Sequence, residues 1–249
     1  MNLSKTVLLA VLLNLTLSFG ALASSPDWGA YAKILQTVKP GNKHDTPLAL
    51  VDYQALKKSG QLEAVYQQIQ AFPVENLASK EEKLAFYINT YNILALKMVL
   101  DHWPVSSIKD AGNLISPVWG KTAGVIGRKE VSLDDIENKF LRPLAEPRIH
   151  FAIVCASVSC ADLCAEPYTA EKLNAQLDEQ VSLFLKNPKK GLVEEGKVIH
   201  VSKIFDWFEK DFKAAGGVDA FIRSHRTGLT TSPIKADIQY DWAVNGISE

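Results

Sequence analysis

The chain has 249 residues, 47% of them hydrophobic and 22% charged, with 14 Gly and 11 Pro. This excludes collagenous, low-complexity and disordered classes and is long enough to bury a substantial core. A formal charge of -1 leaves no electrostatic footprint for nucleic acid or an anionic membrane, and three cysteines are too few for a disulfide-rich scaffold. In chain order, residues 1–23 have the form of a signal peptide. Lys5 lies in a short n-region, an apolar stretch runs from Val7 to Phe19, and Ala21-Leu22-Ala23 makes a small-x-small cleavage site. No Cys follows the cleavage point, so a lipid anchor is not expected. No later run of ~20 apolar residues suggests a membrane span. The sequence thus predicts an exported protein, periplasmic or secreted, whose mature part is a single domain over 24–249.

Trp28 to Thr37 reads as a short helix, Lys39 to Thr46 as a loop, and Gly60 to Phe72 as a second helix. Ser79 opens a long run, EEKLAFYINTYNILALKMVLDHW, that is apolar on nearly every face and therefore predicts a helix buried in the middle of the fold. Val125–Val131 has a glycine placed for a hairpin turn, and Ser132 followed by two Asp reads as a helix start. That helix carries Leu133, Ile136, Phe140 and Leu144 and closes at Pro147. Ile149 to Cys155 is a continuous apolar run that reads as a strand buried on both faces. Thr169 is expected to cap a helix with Leu173, Leu177, Val181 and Leu185. A short strand over 197–201, a helix capped by Ser202, another short helix and a strand near 236–240 complete the pattern. The predicted class is α+β, mostly helical around a small β-sheet.

Three places resist a purely structural reading. Asn89 and Asn92 share one face of the apolar helix, where an unsatisfied buried amide costs ~1–3 kcal/mol. They either hold a neighbouring loop, the favoured role for Asn89, or position a substrate; Asn92→Leu, which nearly keeps volume while removing the amide bonds, is expected to disturb the site more than the fold. The second place is CASVSC, residues 155–160. Cys160, flanked by Ser157 and Ser159, is the expected nucleophile if the loop leads into free N–H groups, with a pKa below the ~8.5 of free cysteine. Cys155 reads as a small buried hydrophobe, and a disulfide through Cys160 or Cys164 is the competing possibility. The third is His150, a candidate base for Cys160, with Glu137 available to orient its ring. The WFEKDF stretch reads most simply as an amphipathic core helix. The spacing of Cys155, Cys160 and Cys164 does not fit a structural zinc site, and no phosphate-cradling loop occurs, so neither metal nor cofactor is expected.

AFYINTYNILAL, VSLDDIEN, RIHFAIVCASVSC, SKIFDWFEKDF and YDWAVN, in that order over 50–245, resemble the family called domain of unknown function 547. The resemblance implies an α+β domain of exported bacterial proteins without an established reaction. It marks polar groups at Asn89, Tyr91, Asn92, Glu137, His150, Cys155, Ser159 and Cys160, then Ser202, Asp206, Trp207, Asp241, Trp242 and Asn245. Trp242 joins Asn89, Asn92, Ser157 and Ser159 as an expected substrate contact. Asn138 stands where the family often has His, and Ala161 where it often has Pro.

Three functions are compatible with these residues. The first is a Cys-dependent hydrolase or acyl/amide transferase of papain- or transglutaminase-like character, acting on a small molecule or peptide. The second is a non-catalytic ligand-binding or interaction domain. The third is a thiol redox protein using Cys155 and Cys160, although the familiar reactive spacing is C-x-x-C.

Overall fold

The computed structural model describes residues 25–112 and 118–247; the signal-peptide reading of 1–23 lies outside them. The fold is α+β, as expected, but its strands form three small sheets rather than one. Helix α1 (Gly29–Leu35) leads into an antiparallel hairpin, β1 (Lys39–Lys43) and β2 (Thr46–Leu50), where a loop was expected. Proline and glycine there sit in strands that pair only with each other, so their weak β-propensity meets no central-strand demand. Helices α2 (Tyr53–Ser59) and α3 (Gln61–Ala71) follow, joined at Gly60, whose φ of 65° ends α2 in the left-handed conformation.

Helix α4 (Lys80–His102) is the centre of the molecule, and fifteen of its residues are buried. Ser79 accepts from the Glu82 N–H while the Glu82 carboxylate accepts from the Ser79 N–H, a reciprocal cap that fixes its start. Its surroundings include the hairpin β3 (Thr122–Ile126) and β4 (Lys129–Ser132), which turns at Gly127 and Arg128, both with positive φ. Ser132 caps the following turn, α5 (Leu133–Asp135), again reciprocally with Asp135. The helix then widens to π geometry over Ile136–Leu141, and the Arg142 N–H bonds back to the Glu137 carbonyl. Pro143, which has no N–H, follows in a 3₁₀ turn over Arg142–Leu144.

The largest departure from the sequence reading concerns the run 149–155. It is not a strand. A 3₁₀ turn spans Pro147–Phe151, begun rather than closed by Pro147, and irregular backbone leads on to Cys155. A continuous apolar run reports burial on all sides but not the backbone geometry that achieves it. Here the backbone groups are satisfied without a ladder. Ala152 and Ile153 donate to the Ile149 carbonyl, and the Asn92 side chain supplies what a neighbouring strand would have: its Nδ2 donates to the Ala152 carbonyl and its Oδ1 accepts from the Val154 N–H.

Helix α6 (Leu173–Lys186) begins after Lys172 with no side-chain cap; the Thr169 N–H bonds instead to Gln176 Oε1. A three-stranded sheet of β5 (Leu192–Glu195), β6 (Val198–Ser202) and β7 (Ile234–Ile238) pairs β6 antiparallel with β5 and parallel with β7. The Ser202 hydroxyl accepts from the Ile204 N–H at the start of α7 (Ile204–Trp207). The expected helix continues only as a 3₁₀ stretch over Glu209–Ala215, then stops at Gly216 and Gly217, before α8 (Val218–His225). One buried cluster surrounds α4; a second gathers Phe151, Phe184, Phe205, Phe212 and Phe221 between α6, α7 and α8. His150 and the 155–160 loop lie along the join between them. Among the described residues, no helix is long and apolar enough to cross a membrane.

Candidate active site

A cavity of about 340 Å³ opens at this join, and Glu137, His150, Cys155 and Cys160 all line it. The π turn carries Glu137, the 3₁₀ turn carries His150, and the irregular backbone carries the thiols. Three of these four were named from the sequence as a nucleophile–base–acceptor set. The structure brings them to one cavity but distributes their properties differently.

The polarised thiol is Cys155 rather than Cys160. Cys160 Sγ accepts from the Cys155 N–H at 3.0 Å and contacts the Ile153 carbonyl at 3.7 Å. Its hydrogen bond to the Cys155 thiol, together with burial, pushes its pKa well above the ordinary thiol value. The same Cys160 thiol is the largest influence lowering Cys155. Against the cost of burial, the Ser157 hydroxyl and N–H and the Tyr240 hydroxyl add to it, and the Cys155 thiol is pulled down to about 6. Cys155 Sγ lies 3.1 Å from Ser157 Oγ and 3.4 Å from the Tyr240 hydroxyl, which are themselves 3.1 Å apart. The geometry depends on Ala156, whose φ of 59° places a non-glycine residue in the left-handed region. That conformation costs about 1 kcal/mol or more and persists where the surroundings enforce it. Here Asn245 donates to the Ala156 carbonyl, while the Val158 and Ser159 N–H groups bond to the carbonyls of Ala243 and Asp241. All three cysteines are free thiols, so neither proposed disulfide is formed; Cys164 stands apart, half-buried.

His150 is held from behind by a residue that sequence reasoning missed. Its Nε2 lies 2.8 Å from Asp211 Oδ2, and Asp211 is gripped by Arg142 through Nε at 2.6 Å and Nη2 at 2.8 Å. Burial pushes the Asp211 carboxyl up, but the Arg142 and His150 hydrogen bonds outweigh it and hold it below the usual range. Burial lowers His150 to about 4 in spite of Asp211, so the ring is neutral, donates from Nε2 and leaves Nδ1 as an acceptor. The ring also stacks on Phe208 at a centroid distance of 4.0 Å. Nothing in WFEKDF separates Asp211 from an ordinary solvated carboxylate; its partners lie more than sixty residues away.

Glu137 does more than orient a ring. Its Oε1 and His150 Nδ1 face one another at 4.0 Å, both buried and without hydrogen-bond partners. Two bare acceptors so placed favour a proton on the carboxyl. Burial, then the negative charge on Cys155, raise Glu137 to about 7. A carboxyl poised near neutrality in the same cavity as an acidified thiol is a proton carrier of the required strength.

The five expected substrate contacts divide. Trp242 lines the cavity. Asn89 and Asn92 do not: both are fully buried, and both halves of each amide are consumed by backbone. Asn89 bonds the N–H and carbonyl of Tyr168, and Asn92 holds 152–154. Their role is to position chain, not substrate. Ser157 acts on Cys155, and the Ser159 hydroxyl is occupied by the Asp241 N–H at 2.8 Å. The expectation for Asn92→Leu is therefore reversed. It strands two buried backbone groups and should lower stability by about 3 kcal/mol or more, read as a reduced urea midpoint, with the site disturbed as a consequence. An unchanged midpoint would show that the two bonds are replaceable.

Asn138, standing where the resemblance suggested His, bridges Asp134 and Arg142 at the cavity. Among the described residues, no group of three His, Cys, Asp or Glu side chains is placed to hold a metal ion. Residues 74–185 match the family model described as "Protein of unknown function, DUF547", which bears out the resemblance over that stretch. The match takes in Glu137, His150, Cys155 and Cys160, and ends before Trp207, Asp211 and Tyr240. No curated protein and no solved structure matches the chain.

Proposed function

We propose that the chain is an exported thiol-dependent acyl-transfer enzyme, a hydrolase or transferase of amide or ester bonds. Cys155 is its nucleophile and Glu137 its acid–base group. The supporting observation is the juxtaposition, at one cavity, of a thiol pulled down to about 6 and a carboxyl raised to about 7. The Cys155 thiolate attacks the acyl carbon and the carbonyl electron pair moves to oxygen. The pair returns as the bond to the leaving nitrogen or oxygen breaks, and that atom takes the proton from Glu137. Water then attacks the thioester, giving its proton back to Glu137 as the sulfur leaves as thiolate. His150, fixed by Asp211 and Arg142, is a positioning residue that keeps a neutral acceptor opposite Glu137. The chemistry is papain- or transglutaminase-like in its thioester, with the proton carried by a carboxyl. The signal-like 1–23 segment supports export and a mature chain in the periplasm or outside the cell.

The test is a pre-steady-state assay with p-nitrophenyl acetate. The expected result is a burst of p-nitrophenol approaching one equivalent, with an acetyl adduct on Cys155 by peptide mass, both missing from Cys155→Ala. Absence of burst and adduct in the unaltered protein would leave the cavity as that of a binding domain.

A further inference from the structure

The cavity is polar at its base and aromatic along its wall. Trp119, Trp207, Tyr240 and Trp242 line it. Trp242 meets Trp119 edge-on at 5.4 Å and Tyr240 at 4.4 Å, while Trp207 lies 5.7 Å from Trp242, only 22° from parallel, and 4.9 Å from Tyr240. Lys109 Nζ caps the Trp242 ring at 3.6 Å. Despite these contacts Trp207 remains 46% exposed, one of three exposed large hydrophobic side chains among the described residues. Core packing does not account for a tryptophan that is braced by two neighbours and still offers surface at the edge of a cavity.

Of the charged groups lining the cavity, Arg142 is paired with Asp211 and also held by Asn138, while Asp134 accepts from the neutral Asn138 amide. A flat ring entering the cavity would find aromatic faces already held in place by one another.

Resting on the reading of this cavity as an acyl-transfer site, we infer that the substrate is an amide or ester bearing a planar ring next to the scissile carbonyl, and that Trp207 is the residue that selects it.

The inference is tested by binding to Cys155→Ala, followed through tryptophan fluorescence and calorimetry, with N-benzoylglycinamide and N-acetylglycinamide as probes. The benzoyl compound should bind about ten-fold more tightly. Adding Trp207→Ala should abolish that preference, and Trp207→Phe, which keeps a ring, should retain most of it. Equal affinity for the two probes, no binding of either, or a preference that survives Trp207→Ala in a folded variant would overturn the inference. Its failure is separable from failure of the proposed reaction. A ring preference that depends on Trp207, in a protein that gives no burst with p-nitrophenyl acetate, leaves Trp207 as the residue that selects a planar ring and removes the scissile carbonyl together with the thioester chemistry.

Discussion

Glu137→Gln is expected to make the protein more stable and far less active. The carboxyl is raised from an ordinary 4.5 to about 7, chiefly by burial. The unfolded chain therefore releases this proton more readily than the folded one between those two values, and folding stability declines as pH rises through that window. Above pH 7 the full penalty is present, about 3 kcal/mol for a shift of this size in a largely buried group. Glutamine keeps the shape and does not ionise, so its advantage over the native residue should be absent at pH 4 and grow to about 1–3 kcal/mol at pH 8. Urea titrations at the two pH values measure it. Turnover should fall by about 10²–10⁴, because the group that protonates the leaving atom is gone. A variant that is no more stable at pH 8 than at pH 4, relative to the parent, would mean that Glu137 is ionised in the folded protein.

Alkylation should single out Cys155. With iodoacetamide, the rate at this thiol is expected to rise with pH through a midpoint near 6, while Cys160 and Cys164, both raised, remain slow at neutral pH. Because the Cys160 thiol is the largest influence lowering Cys155, Cys160→Ala should move that midpoint up by about one pH unit or more; Ser157→Ala should move it in the same direction by less. Peptide mass spectrometry after brief labelling identifies the modified residue. Faster labelling of Cys160 would restore it as the nucleophile. If Cys155 and Glu137 share the work, activity should trace a narrow bell with apparent limbs near 6 and 7, values that belong to the interacting pair rather than to either group alone.

What could be read from the chain before its structure follows from the range over which each signal acts. Ser79 with Glu82 and Ser132 with Asp135 are three-residue signals, and both starts are where they were expected. The buried helix was legible because an apolar surface all round has few other destinations. The run 149–155 was not, since burial on every side is the same whether a sheet or an asparagine from another helix satisfies the backbone. The cavity's membership was partly legible: Glu137, His150, Cys160 and Trp242 are there. Which thiol is acidic was not, because it turns first on how the Cys160 thiol meets Cys155 in the folded loop, then on hydrogen bonds from Ser157 and from Tyr240, which lies 85 residues from Cys155. Asp211 was hidden for a related reason: it looks like any surface carboxylate until folding sets it beside His150. Trp207 was marked by the family resemblance alone, and its exposure at the cavity edge comes only with folding.

The strained turn at Ala156 has a consequence for how the protein is made. Its carbonyl is held by the Asn245 N–H, the two residues that follow Ser157 are held by the carbonyls of Ala243 and Asp241, and Tyr240 adds its hydroxyl to the groups that lower Cys155. Until residues 240–245 lie across it, the thiol loop lacks these partners. Cys155 then has neither its enforced geometry nor the full set of groups that lower its pKa, and its thiol is less acidic. Its reactivity is therefore completed only when the C-terminal segment has threaded back across the loop. A nascent or C-terminally clipped chain is in this sense chemically quiet, whatever its helices have achieved.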